Sequence, residues 1–227
     1  MALTIELDTG AVHVATTIRD QGDFAIHGDR DALEARRRAV VDRPWAWLHQ
    51  VHGAGVEVVS RATVDQVAGV DADGLVTADP DLVLAIQTAD CLPVVLWSPE
   101  GVIGAAHAGW RGLDAGVVEA TAAAMRGLGA TVIEARIGPC IHVECYEFGA
   151  DDLDHVAARL GDEVRGRSAS GTPALDLPRA FGMAANRAGI ASWGSEGSCT
   201  ACHPDRWYSY RARAEAGRMA TVVWREQ

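Results

Sequence analysis

Cys91 and His107, one a soft metal ligand or nucleophile and the other a ligand or base, flank the short segment Ser98-Pro99-Glu100-Gly101. Proline at the second place of a type I turn, followed by a glycine free to take a left-handed conformation, predicts a three-residue hairpin loop with a bulge. In that register Ser98 faces Val102, Pro93 faces His107 and Cys91 faces Gly109. Cys91 and His107 then share a sheet face as diagonal neighbours, with Cα atoms roughly 7–8 Å apart. A thiolate and an imidazole at that separation can close around one metal ion, or work as nucleophile and base. A two-residue turn would send them to opposite faces. The plainer alternative is a buried thiol beside a satisfied core histidine.

Both residues sit at strand ends in tight, polar sequence: Thr88-Ala89-Asp90-Cys91-Leu92-Pro93 before the hairpin and His107-Ala108-Gly109-Trp110-Arg111-Gly112 after it. Asp90 is an acid/base candidate, and Arg111 offers a fork suited to phosphate or carboxylate. Gly109 and Gly112 let backbone approach a ligand. Trp110 either stacks on a planar substrate or covers the end of the hairpin.

The elements that must hold these residues read as a mixed α/β chain. Strands are expected at 12–17, 46–50, 56–59, 75–77, 82–87, 92–97, 102–106, 131–137 and 221–224, from short apolar or alternating runs. Asp71-Ala72-Asp73-Gly74 reads as a turn, and residues 161–173 as a surface loop. Helices are expected at 31–41, 151–160 and 178–188, with another through Val117 to Met125 capped by Asp114 and ended by Gly127 and Gly129. Elements alternate with no break in composition, which favours a single mixed domain over residues 1–227.

Composition narrows the function. Twenty arginines against 31 acidic residues give a net charge of -11, the wrong sign for nucleic acid or anionic lipid. There is no lysine, which excludes Schiff-base and P-loop chemistry. The apolar runs are far shorter than a membrane span. Five cysteines, an odd number, and a start without a basic, apolar leader predict a cytoplasmic protein with thiols or metal ligands rather than disulfides.

Several ordered blocks resemble one family. Gln50-Val51-His52-Gly53, Asp71-Ala72-Asp73-Gly74, Thr88-Ala89-Asp90-Cys91-Leu92-Pro93-Val94, Ala106-His107-Ala108-Gly109-Trp110-Arg111-Gly112, Ile137-Gly138-Pro139-Cys140-Ile141 and Cys145-Tyr146-Glu147 look like the laccase-domain or polyphenol oxidase family. Cys199-Thr200-Ala201-Cys202, Tyr208-Ser209-Tyr210-Arg211 and Gly217-Arg218 resemble its C-terminal signature. Its members have been reassigned as purine nucleoside phosphorylases that also deaminate adenosine.

The resemblance implies strands sandwiched between helices in α-β-β-α layers, and a metal, zinc or possibly copper, held by His52, Cys91 and His107. Two histidines and a cysteine leave a fourth position for water or substrate. It places Gln50, Asp73, Trp110, Arg111 and Arg211 on the substrate side, with purine nucleosides and phosphate as ligands and Asp90 moving protons. Near the start, Thr16-Thr17-Ile18-Arg19-Asp20-Gln21-Gly22-Asp23 departs from the family's longer segment, and Arg19 alone maps onto it, as a phosphate-binding residue.

Other readings compete. Cys91 with His107 as base would serve a cysteine or metal-assisted hydrolase. A catalytically degenerate metal-binding protein would hold zinc without turning anything over. Copper-dependent phenol oxidation fits an open His/Cys site, although no His-x-His pair is present for a multicopper centre. Cys199-Thr200-Ala201-Cys202-His203 matches haem c attachment, which belongs to exported proteins. Cys140, Cys145, Cys199 and Cys202 could form a four-thiolate zinc site.

Overall fold

The structure, a computed structural model, describes residues 2–226. The strands are β1 (Ala2–Leu7), β2 (Gly10–Thr16), β3 (Trp45–Ala46), β4 (Val56–Val58), β5 (Gly74–Thr77), β6 (Val83–Thr88), β7 (Leu92–Trp97), β8 (Ile103–Ala108), β9 (Glu134–Ile137), β10 (Arg165–Arg167), β11 (Pro173–Leu175), β12 (Ser192–Ser195) and β13 (Met219–Glu226). The α-helices are α1 (Arg30–Val40), α2 (Val64–Val67), α3 (Trp110–Ala115), α4 (Val117–Gly127), α5 (Ala150–Leu160), α6 (Leu177–Arg187) and α7 (Tyr210–Arg213).

Two mixed sheets carry the fold, one in the order β1-β2-β13-β6-β3 and the other β12-β9-β7-β8-β5-β4. Alternation along the central strands decides what each face meets. Leu92, Val94 and Leu96 of β7 join Ala106 and Ala108 of β8 against Leu113, Val118, Ala122 and Phe181 of the helices. The opposite residues, Val95, Trp97, Ile103 and Ala105, pack with Val12, Leu84, Ile86 and Val223 of the other sheet. That sheet turns Val83, Ala85 and Val222 outward onto Phe24 and Leu33, the latter in α1. Helix, sheet, sheet and helix therefore lie in four layers, as the resemblance implies.

The central hairpin has the expected register. Ser98 donates its backbone N–H to Val102 O at 3.0 Å, Gly101 has φ 82°, and Pro93 pairs with His107. β5 lies beside β8 with Gly74 opposite Ala106, and the His107 N–H reaches Asp73 O at 2.8 Å. Cys91, His107 and Asp73 thus arrive at one end of three adjacent strands, on the face turned toward the other sheet.

Some elements differ from expectation. Residues 71–74 do not turn: Asp71 bridges His49, and Gly74 opens β5, so the Asp and Gly there serve an extended segment. The strand expected over 46–50 is only Trp45–Ala46, continued by that bridge. Asp114 is not a cap. It lies inside α3 and receives His155 Nε2 at 3.0 Å, while Gly116 (φ 90°) makes the joint between α3 and α4. The expected loop at 161–173 holds β10, which pairs with β11. β1, β12 and α2 were not anticipated. Among the described residues no helix is long and apolar enough to cross a membrane.

Candidate metal centre

His52, Cys91 and His107 come together. One ligand atom from each lies within 4.8 Å of the other two, and His52 Nε2 stands 3.8 Å from Cys91 Sγ. Burial is graded, with His107 3% exposed, Cys91 half-buried and His52 at the surface. The group is therefore anchored from below and open on one side.

A single buried carboxylate organises it. Asp73, 0% exposed, accepts from His107 Nδ1 at 2.8 Å and from the backbone N–H groups of His52 (2.9 Å), Gly53 (2.6 Å) and Val51 (3.3 Å). A buried carboxylate must have its lone pairs met, and these four donors meet them. The bond to Nδ1 fixes the imidazole so that Nε2 faces Cys91, the orienting contact expected behind a metal-binding histidine. The bonds to residues 51–53 hold His52 in the left-handed region, at φ 62°, a conformation costly for histidine and kept here by its neighbours. Asp73 is thus sealed beneath the site, not exposed to a bound substrate as the sequence reading had it.

Electrostatics follow from the same contacts. Burial alone would raise the Cys91 thiol, but the His107 charge and hydrogen bonds from His107 and His52 outweigh it and bring the pKa down to about 6. Burial alone would lower His107, but the Cys91 charge and the bond to Asp73 lift it to about 9. Asp73 is held below the usual carboxylate range because the bonds from His107 and Gly53 overcome its burial. Without metal, Cys91 and His107 form a thiolate–imidazolium pair at neutral pH.

The site also needs room. A Cβ on Gly109 would lie 2.9 Å from Cys91 Sγ and 3.2 Å from His52 Cδ2, so only glycine lets the backbone pass this close. The donors fit the implied metal. Two imidazoles and a thiolate suit zinc or copper, and three protein ligands leave one position open.

Next to the cluster runs a row of aromatic rings. Trp110 meets Phe148 edge-on at 5.4 Å between centroids, and Phe148 meets Tyr146 at 5.3 Å. The Arg111 guanidinium lies 4.3 Å over Trp110 and that of Arg211 5.0 Å over Tyr146, one cation at each end. Burial and the nearby Cys91 charge push the Tyr146 hydroxyl up to about 12, with Arg211 opposing. From sequence, Tyr146 stood out only within the Cys145-Tyr146-Glu147 block, with no role, and Phe148 not at all. Their i, i+2 spacing on an extended segment, which puts both rings on one side, is the signal that could have found them.

The remaining residues named from sequence are engaged elsewhere. Both Asp90 oxygens are taken, Oδ1 by the Thr200 hydroxyl (2.5 Å) and Oδ2 by the Arg211 N–H (2.6 Å). Gln50 pairs through both ends of its amide with the Gln87 backbone, each bond 2.8 Å, tying the His52 loop to β6. Arg19 is clamped to Glu215 at 2.6 Å and lies over Tyr208. Cys140 is buried and does not join Cys145, Cys199 and Cys202; Glu144 stands with those three instead.

Sheets stacked between helices, with imidazoles and a thiolate converging at strand ends, define a laccase-domain protein. The chain belongs to the family described as multi-copper polyphenol oxidoreductase laccase, which matches residues 12–226. It is 40% identical over 204 residues to the purine nucleoside phosphorylase SCO2081 of Streptomyces coelicolor, covering 88% of this chain and 82% of that protein. It is 38% identical over 201 residues to the purine nucleoside phosphorylase Rv2149c of Mycobacterium tuberculosis, covering 86% and 79%. Among solved structures, Neisseria meningitidis NMB0706 superposes with a TM-score of 0.84 at 27% identity, covering 100% of this chain and 99% of that one. YlmD from Geobacillus stearothermophilus gives 0.82 at 27%, covering 98% and 94%.

Proposed function

We propose that this chain is a purine nucleoside phosphorylase that also deaminates adenosine, using a metal held by His52, Cys91 and His107. The observation that carries the reading is the convergence of those three ligand atoms within 4.8 Å, in a chain whose relatives are named for purine nucleoside phosphorolysis. A divalent metal there would supply Lewis acidity and lower the pKa of water.

The chain's own residues do the rest. Asp73 sets the His107 tautomer and the His52 loop. Trp110, backed by Phe148, offers a face on which a purine stacks, and Tyr146 continues it. Arg111, which pairs with no acidic side chain among the described residues, and Arg211 supply forks for phosphate. Arg19 is the weaker phosphate residue of the three, because Glu215 already neutralises it. Asp90 acts as a positioning residue, holding the Arg211 backbone and Thr200.

The test is steady-state turnover of inosine and adenosine by metal-loaded protein, with and without phosphate. Ribose 1-phosphate formed only with phosphate, and inosine formed from adenosine without it, are the expected products. His107→Ala lowers kcat/KM about a hundredfold, and Trp110→Ala raises KM about tenfold. Bound metal with no turnover of either nucleoside overturns the reading in favour of a binding protein.

A second reading has its own observation. Cys91, His107 and Asp73 line up as nucleophile, base and orienting carboxylate, with the thiol already lowered to about 6. It predicts a covalent adduct on Cys91 during turnover in metal-free protein.

A further inference from the structure

Three thiols and a carboxylate form a second group, separate in its ligands from the His/Cys group. One ligand atom from each of Glu144, Cys145, Cys199 and Cys202 lies within 4.8 Å of the other three. Cys145 Sγ is 3.4 Å from Cys202 Sγ, and Cys202 Sγ is 3.8 Å from Glu144 Oε1. Four ligands on a tetrahedral zinc, with Zn–S near 2.3 Å, stand roughly 3.8 Å apart. The group is thus close to a coordination shell already.

Two segments supply it, each with a recognisable device. Cys199-Thr200-Ala201-Cys202 carries the two-residue spacing of a zinc knuckle. Glu144 and Cys145 sit in a single 3-10 turn, Val143–Cys145. The segments are joined where Cys140 bridges Cys199, with Thr200 N–H donating to Cys140 O at 3.0 Å. The His142 backbone N–H points at Cys199 Sγ, 3.4 Å away, the contact that steadies a ligating sulfur. Cys199 is buried while Cys202 and Glu144 are exposed, so an ion can enter from solvent.

We infer that Glu144, Cys145, Cys199 and Cys202 form a second metal site, a closed structural site for zinc. Four protein ligands leave no position for a reactant, so its role is to pin two loops together. One loop carries Tyr146 and Phe148; the other carries Thr200 and leads to Arg211, both hydrogen-bonded to Asp90. The site staples the aromatic wall to the segment that anchors the guanidinium at its end. A disulfide between Cys145 and Cys202 is the competing use of the same sulfurs, and it leaves Cys199 and Glu144 without a task.

The experiment counts zinc per chain by native mass spectrometry, after chelation and reloading in reducing buffer. Wild type is expected to hold two ions, and Cys91→Ala/His107→Ala and Cys145→Ser/Cys202→Ser one each. With cobalt in place of zinc, the thiolate charge-transfer absorbance falls by about three-quarters in the second variant and about one-quarter in the first, following the three thiolates and the one that the emptied site held. Zinc added to the Cys91→Ala/His107→Ala variant slows hydrogen exchange in residues 142–146 and 198–204. Glu144→Gln keeps the cobalt–thiolate band and weakens binding at least about tenfold. The inference is overturned if Cys91→Ala/His107→Ala, folded by circular dichroism, binds no zinc, or if Cys145→Ser/Cys202→Ser keeps both ions. A Cys145–Cys202 disulfide whose reduction restores no second ion also overturns it.

Discussion

The two soft-donor clusters of this molecule are built in opposite ways. Cys91 and His107 are delivered by sheet register and His52 by a loop wrapped around a sealed carboxylate, with that histidine held at φ 62°. Glu144, Cys145, Cys199 and Cys202 come from two loops and keep ordinary backbone. In the first, charge is separated before any metal arrives. In the second, burial and the crowding of neighbouring sulfurs raise the Cys145 and Cys202 thiols, so they stay protonated. A site meant to react is strained, charged and left one ligand short. A site meant to hold is relaxed and supplies a full set of four ligands.

The sharpest way to break this contrast is Asp73→Ala. It strands three backbone donors and the His107 imidazole together, and is expected to cost about 3–5 kcal/mol by urea denaturation. Metal affinity at the His/Cys group should fall about 10–100-fold by titration, while the Cys145 group still takes its ion. Equal loss at both sites would mean they are not independent.

Gly109→Ala comes next. Its φ of -63° suits alanine, and the Cys91 sulfur can rotate away from the new methyl, so the fold should lose only about 1 kcal/mol. Metal affinity at the His/Cys group should drop at least about tenfold, because the rotated sulfur no longer faces the imidazoles. Unchanged affinity in a competition titration would show that the close approach is incidental.

Acidity separates the clusters without mutation. In metal-free protein, Cys91 alkylation by iodoacetamide should rise with a midpoint near pH 6, and Cys145 should stay unlabelled at pH 7, read by peptide mass spectrometry. Stability follows the same pair. The depressed Cys91 contributes fully above the ordinary thiol value, and that contribution fades as pH falls through about 6. The raised His107 contributes fully below the ordinary imidazole value and loses its contribution as pH rises through about 9. The two slopes oppose each other between about pH 6 and 9, so thermal melts of metal-free protein should change little across that window. The smallest effect belongs to Cys140→Ala, about 1 kcal/mol of lost packing with both ions retained. Loss of the second ion there would return Cys140 to the ligand set.

Much of this was legible in the sequence because it depends on parity. The Pro-Glu-Gly turn set the pairing of β7 with β8, and with it the shared face of Cys91 and His107. Helices with clear apolar stripes, such as α5 and α6, lie within a residue of expectation. What escaped notice depends on distant partners. Asp71-Ala72-Asp73-Gly74 has the composition of a turn, but Asp71 pairs with His49 and Asp73 binds residues 51–53 and His107, so tertiary bonding overrode local preference. β1 is the exception, since Leu3, Ile5 and Leu7 alternate with the period of two that marks a strand. His52 came from the family likeness alone, since nothing in its spacing foretells a loop wrapped around a carboxylate. Glu144 was hidden because an exposed glutamate beside a cysteine looks like ordinary solvated sequence.

The bend at Ser98 to Val102 lies a full strand away, roughly 20 Å by strand rise, yet it decides whether chemistry is possible at the other end. Loops of this kind usually tolerate insertions. Here one extra amino acid would keep every ligand in the gene and scatter them in space. Drift should therefore treat the length of this remote corner as strictly as it treats the cysteine and histidine themselves.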